Sequence, residues 1–508
     1  MAHWQSEPSK SRRRKRRDRS RKPRRSRLEQ LEIRRLLARE VSGTLTGDDT
    51  WSGTIHVTGN VTVPDGVTLD VDPGTVVKFN PGFWLTGEGS IQAIGDSANP
   101  IVFTARDDDT VGEDLSSGDG VPFPGFWESL YLSGSDTRLE HVEVRYGGDT
   151  DGNGTGGGQV PSIRLSHEPV DATTNTELVN VLVTQGFSTG IEAVSGSPLL
   201  QNVAVNDTLN VPAFFGINAS PSVSNLTGSG NANGDRIVLQ AGALTEDRTW
   251  DYGELPLDLT SANFDVRADD DGTPVTLSVV PGTVVKVATG RFIRAREGAI
   301  EAIGTSAEPI VFTAHADDSI GGDSNGDGTA TTPFRGSWET IYLDGPGSVL
   351  ENVEVRFAGD TDGNGVGGGQ IASVELNYDN VDATDANRLT NVRISNGYSN
   401  GVDVNTGTPT LNSVHVEQNA GVPFFFDIDA NPSVSGLTGR DNDDGDRIVL
   451  QGGTLTEDRT WDYGDLPLDI TSRDYVVRRK DDGSPATLTI APGTIVKVSQ
   501  AHFVWSDR

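Results

Sequence analysis

LEHVEV at residues 139–144, LVNVLV at 178–183 and LQNVAV at 200–205 share one template. VSNLT at 223–227 continues it, so successive units start 39, 22 and 23 residues apart. The series returns as LENVEV (350–355), LTNVRI (389–394), LNSVHV (411–416) and VSGLT (434–438), with spacings again of 39, 22 and 23. A unit of this length with alternating β-branched residues encloses too little volume for its own core. It buries one face only by stacking on the next unit. Each template is followed by a second short strand, GIEAV at 190–194 and AFFGI at 213–217. The pattern predicts a coil with two or three strands per turn. Asn180, Asn202 and Asn225 fall at equal places in the template, so they should stack into a ladder at one corner.

A longer period contains these units. GDRIVLQAGALTEDRTWDYGELPLDLTS begins at Gly234 and returns, little changed, at Gly445, 211 residues later. A weaker form, GTLTGDDTW, begins at Gly43, and PGTVVKF, PGTVVKV and PGTIVKV begin at Pro73, Pro281 and Pro492. Internal repetition at a fixed period marks a solenoid. Copy one is expected over 41–233, copy two over 234–444 and an incomplete copy three over 445–508. Copy three stops where copy two runs on into GAIEAIG, which suggests a truncated or split reading frame, or an open strand edge.

The repeated elements resemble the right-handed parallel β-helix repeat proteins of bacterial surfaces. The resemblance rests on DRTW (247–250, 458–461), TLTIAPGTIVKV (487–498), PIVFTA from Pro100 and Pro309, GSWE (336–339) and the template rungs. It covers nearly all of 41–508. The fold it implies is all-β, and that fold hosts lyases, hydrolases, adhesins and inert spacers, so it leaves function open.

Composition narrows the choices. The chain has no Cys, which excludes disulfides and thiolate metal sites, and no apolar run nears the roughly 18 residues of a membrane helix. Residues 1–40 carry 16 Lys and Arg against 5 Asp and Glu, while the other 468 carry 25 against 68. The basic block at 1–27 should be disordered. The acidic remainder argues against nucleic acid as a partner, because it repels polyanions and attracts cations. LEQLEIRRLLARE follows, within the segment 28–40. It resembles the LEPR-XLL segment of large extracellular planctomycete proteins at Leu28, Glu29, Leu31, Glu32, Arg34, Leu36 and Leu37, with Ile33 where that family has Pro. That resemblance implies export to the cell surface or beyond.

The 39-residue spacing holds an insertion at one corner, GDTDGNGTGGGQ (148–159) and GDTDGNGVGGGQ (359–370). One rung earlier lies a second acidic insertion, DDTVGEDLSSGDG (108–120) in copy one and DDSIGGDSNGDG (317–328) in copy two. Rungs stack about 4.8 Å apart, so the two loops should leave one edge side by side. Asp149, Asp151 and Asn153, then Asp360, Asp362 and Asn364, then Asp323, Asn325 and Asp327 each match the first half of a calcium loop, with Asp317 and Asp318 close by. The closing Glu of an EF-hand is absent: its place holds Val160, Ile371 or Phe334. Ca²⁺ is therefore expected only where a neighbouring loop or water completes the shell. Three roles remain for these strings: a metal site, a sugar-binding loop, or turns built from ordinary Asp-Gly and Asn-Gly dipeptides.

No nucleophile elbow, phosphate loop or HExxH appears, and none of the seven histidines recurs at its repeat equivalent. Near-identity of two copies favours tandem binding or spacing over one catalytic centre. The leading expectation is an exported, calcium-stiffened element for surface adhesion or matrix structure, with extracellular polysaccharide or other surface proteins as partners. A polysaccharide lyase or hydrolase, or a carbohydrate-binding module, is the alternative, and a remnant of a larger surface protein the third. Trp127 and Trp338 fit either sugar stacking or the coil interior. Trp51, Trp250 and Trp461, with Phe214, Phe215 and Phe424, Phe425 and Phe426, are expected inside.

Overall fold

The computed structural model describes residues 38–116, 120–155, 158–166, 176–366, 369–379, 386–470, 472–480, 482–500 and 502–506. The basic leader and residues 28–37 of the export-like segment lie outside the described residues. The last two residues of that segment belong to the solenoid. Arg39 and Glu40, in the first strand Arg39–Thr44, pair with Ile55 and His56.

The template strands Arg138–Arg145, Glu177–Thr184, Leu199–Asn206 and Ser222–Ser229 pair in parallel, each with the next. Leu139 aligns with Leu178, Leu200 and Val223, and Val142 with Val181, Val203 and Leu226. A uniform strand would send Leu139 and Val142, three residues apart, to opposite faces. Both are buried because the residue between them takes a left-handed conformation and resets the phase. That residue is His141 (φ 50°), Asn180 (53°), Asn202 (53°) or Asn225 (60°). Asn tolerates this region better than most L-residues. It also links the rungs: Asn202 Nδ2 donates to Asn180 Oδ1 at 3.1 Å, and Asn225 Nδ2 to Asn202 Oδ1 at 3.2 Å. Copy two repeats the device with Asn352 and Asn391, and Ser413 takes the place of the next Asn.

A second face is built from Leu130–Leu132, Ile163–Ser166, Ile191–Gly196, Ala213–Ala219 and Ile237–Leu239. Its counterpart in copy two runs Ile293–Ala295, Ile341–Leu343, Val374–Leu376, Val402–Val404, Phe424–Phe426 and Ile448–Leu450. Parallel strands joined rung by rung close into a right-handed parallel β-helix. Its interior is one continuous apolar column from Val41 to Val477. No helix among the described residues is long and apolar enough to cross a membrane.

Trp127 and Trp338 line this column and are fully buried. Their indole N–H groups donate to the carbonyls of Arg145 and Arg356, each at 2.7 Å, and Phe79 stacks on Trp127 at 4.2 Å. Trp51, Trp250 and Trp461 are buried as well. The Phe runs split by strand alternation: Phe215, Phe424 and Phe426 point inward, while Phe214 and Phe425 are half-buried on the outer face.

If the left-handed residue sets the phase of each template strand, its replacement should cost stability. Asn202→Val forces a β-branched residue to positive φ and breaks both ladder bonds. It should destabilise the chain by about 1–2 kcal/mol, and Asn202→Gly by less, in urea unfolding followed by circular dichroism.

Candidate metal centre and the loops that carry it

The acidic loop of copy two leaves the coil after the strand Ile310–Ala314. Asp317 anchors its base. The Thr313 hydroxyl donates to Asp317 Oδ2 at 2.6 Å, and the Ser319 amide and hydroxyl donate to Oδ1 at 3.1 and 2.5 Å. Lys286 clamps the loop from below. Alternation along Val284–Val287 turns Lys286 out of the coil, in register with Thr313, and the loop then covers it completely. Its ammonium donates to the carbonyls of Asp317 (2.8 Å) and Gly322 (2.9 Å). Burial pulls the ammonium's pKa down, against the charges of Asp317, Asp318, Asp258 and Asp323. Copy one is built alike: Lys78 donates to the carbonyls of Asp108 and Glu113, and Thr104 holds the Asp108 carboxylate.

Above the clamp, carboxylate oxygens of Asp318, Asp323 and Asp327 come within 4.8 Å of one another. Two of the oxygens, Asp318 Oδ1 and Asp327 Oδ1, are shielded from solvent and accept no hydrogen bond. Burial raises the pKa of Asp318, and the charges of Asp323 and Asp327 add to the rise. Asp323 also closes the turn, accepting from the amides of Asp327 (3.1 Å) and Gly328 (2.8 Å). Asn325 Oδ1 accepts from the Asp327 amide at 3.3 Å, and Asn325 Nδ2 donates to Asp327 Oδ2 at 3.1 Å. An oxygen-rich group with unpartnered acceptors suits a hard divalent cation, which takes six to eight oxygens and accepts backbone or water donors for the remainder. Asp317 stands apart from this group, because its oxygens are spent on Thr313 and Ser319.

The second insertion is organised differently. In copy two, Asp360 is fully buried and accepts from the amides of Asp362 (3.4 Å) and Gly365 (2.8 Å). Asp362 accepts from the Asn364 amide and Nδ2, and Asn364 from the Val366 amide. Asp149, Asp151 and Asn153 make the same bonds in copy one. Antiparallel bridges Asp149–Gln159 and Asp360–Gln370 close both insertions at their necks. Their carboxylates thus serve the turns, and among the described residues they do not join the group formed by Asp318, Asp323 and Asp327. The two loops of copy two meet elsewhere. Gly365, at φ 64°, lies against the ring of Phe334, where an added Cβ would come within 2.8 Å of Cδ2.

Another polar group escapes notice in the sequence. Glu375 and Asp403 are register neighbours on the outer side of the second face. Their equivalents in copy one, 211 residues earlier, are Arg164 and Glu192, an ion pair at 3.6 Å. Copy two therefore sets two carboxyls where copy one sets opposite charges. Burial pushes Glu375 up to about 7, despite hydrogen bonds from the Ala372 amide and Asn405 Nδ2. Burial, with the charge of Glu375, holds Asp403 well above the usual carboxylate range. The only signal for this pair in the sequence is a sign change between otherwise similar copies.

No family model and no curated protein matches the chain. Among solved structures it is similar to the catalytic domain of a GH87 alpha-1,3-glucanase in complex with nigerose. The match has 10% identity and a TM-score of 0.29, over 77% of this chain and 61% of that one. It is also similar to the periplasmic alginate epimerase AlgG, with 10% identity and a TM-score of 0.22, over 90% and 78%. The chain thus spans less than two thirds of the glucanase domain's length.

Two outcomes follow from this geometry. Lys286→Met removes the donor to the carbonyls of Asp317 and Gly322 and a cation that feels the charges of Asp317, Asp318, Asp258 and Asp323. It should loosen the loop by about 2–3 kcal/mol, and limited proteolysis should then cut first within residues 317–333. The carboxyl pair has the opposite pH signature to a salt-bridged acid. Glu375 binds its proton more tightly folded than unfolded, so its contribution is fully present below about pH 4.5 and is lost as pH rises through about 7. Stability should fall on the order of 1–3 kcal/mol across that window, and Glu375→Gln should flatten the slope of unfolding midpoint against pH.

Proposed function

We propose that the chain is an exported β-helix repeat protein whose acidic loop binds calcium, and that it works as a structural or adhesive element at the cell surface or in the extracellular matrix. One observation carries the calcium reading: three carboxylates within 4.8 Å, two of whose oxygens are buried without a donor. Leaving such acceptors unpaired is costly, and a divalent cation satisfies both at once. Asp318, Asp323 and Asp327 would hold the ion, with the Asn325 carbonyl within the same turn. The Lys286 clamp supports a stiffening role, since it ties this loop to the rung below. The acidic body supports an extracellular setting rich in divalent cations, where polysaccharide or other surface proteins are the partners.

A polysaccharide-active enzyme is the second reading, favoured by the Glu375–Asp403 pair. A carboxyl that keeps its proton near neutral pH, beside another on the adjacent rung, is what general acid chemistry requires. Under that reading, new reducing ends or unsaturated sugars appear with pectin, alginate or a neutral glycan and disappear in Glu375→Gln.

Titration calorimetry on the full chain tests the calcium reading. One calcium site is expected, absent from the Asp323→Asn, Asp327→Asn double variant and present in Asp362→Asn. Saturation at about 100 times the dissociation constant adds up to ~2.7 kcal/mol to whatever unfolds with the loop. Flat isotherms for the unsubstituted chain would remove calcium from the account.

A further inference from the structure

Beside the acidic loop of copy two lies a pocket of about 190 Å³ that includes His315, Thr289, Thr331, Phe334 and Ser337 in its walls. Copy one supplies an internal control. At the equivalent positions it has Arg106 for His315 and Phe126 for Ser337, while Phe123 matches Phe334. Phe126 is buried, its ring 5.2 Å from that of Phe123, and the Arg106 guanidinium lies 5.9 Å from the Phe126 ring. Copy two has thus replaced two large side chains by smaller ones on a conserved frame, and the space lies where that bulk is missing.

The walls are chemically selective. Phe334 is 45% exposed, an unusual state for a Phe held in place on both sides of its backbone. Its amide donates to Ser337 Oγ at 2.9 Å, and Ser337 Oγ donates back to its carbonyl at 2.7 Å. His315 Nδ1 lies 3.1 Å from Asp258 Oδ1, and the other Asp258 oxygen is paired with Arg236. A carboxylate acceptor on Nδ1 keeps the proton there and leaves Nε2 as an acceptor. The Thr331 hydroxyl is bonded to Asp327, so one wall is fixed by the acidic loop. An apolar aromatic face, small hydroxyls and one oriented imidazole acceptor, with no Lys or Arg in the lining, fit a neutral polyhydroxylated ring. The carboxylates of the acidic loop that fixes Thr331 disfavour an anionic one.

We propose that this pocket is a binding subsite for one neutral sugar residue of a glycan chain, stacked on Phe334 and hydrogen-bonded to His315. The proposal rests on the reading that the chain meets extracellular polysaccharide, and it does not depend on calcium. Affinity electrophoresis of the full chain through gels holding soluble glucan, mannan or galactan, and separately alginate or pectin, tests it. Retardation by a neutral glycan is expected. Phe334→Ala and Ser337→Phe should each weaken it about tenfold or more, with ~1.4 kcal/mol corresponding to each factor of ten. Ser337→Phe restores the residue copy one already accommodates, so its melting temperature should stay close to that of the parent. Phe334→Ala, at an exposed position, serves if it does not. Retardation only by the acidic glycans, none by any glycan, or full binding by both variants overturns the proposal. An intact calcium isotherm beside a silent pocket would refute the pocket alone.

Discussion

A rung of some 22 residues cannot enclose a core, so every rung depends on parallel hydrogen bonding to its neighbours at a spacing of about 4.8 Å. That constraint fixes the remainder of the molecule. Strand registers cannot slip, because a one-residue shift would turn the whole apolar column outward. The left-handed residue of each template, His141, Asn180 or Asn202, keeps Leu139, Leu178 and Leu200 on the same side as the valines three residues later. Extra residues can be accommodated only where the chain turns between strands. Both acidic insertions therefore emerge at corners, on successive rungs.

Much of this was legible in the residues. The spacings of 39, 22 and 23 are the registers observed between template strands, and the Asn ladder follows from equal placement. The loops were legible as insertions, but the use of each carboxylate was not. Asp317 and Asp318 are adjacent in sequence, yet one is tied down by Thr313 and Ser319 while the other turns toward Asp323 and Asp327. That choice depends on the strand end and on Lys286, which alternation alone would assign to solvent. In DTDGNG the spacing of a calcium loop also suits consecutive Asx turns, and the carboxylates there accept the turn amides. Trp338 shows the same limit: a residue beside an acidic loop can face a ligand or the coil, and only burial decides.

Placing charge on an acidic solenoid requires local compensation, and the copies solve this in different ways. Lys78 and Lys286 neutralise loop bases from beneath. Glu417 is buried, which would raise its pKa, but hydrogen bonds from Arg393, His415 and Arg440 outweigh burial and carry it down to about 2. Glu375 and Asp403 have no such cations and stay high. Between the copies Arg164 becomes Glu375 and Asn206 becomes Glu417, both at outward-facing strand positions, whereas the inward-facing positions stay apolar. Duplication has preserved the scaffold and released its outer face to diverge.

The central claim is that the clamped loop gathers Asp318, Asp323 and Asp327 around a divalent ion. Long-wavelength anomalous diffraction from crystals of the full chain grown with calcium tests it most directly. The account predicts an anomalous peak bounded by those three carboxylates. A well-ordered loop at 317–328 with no peak among them would contradict it.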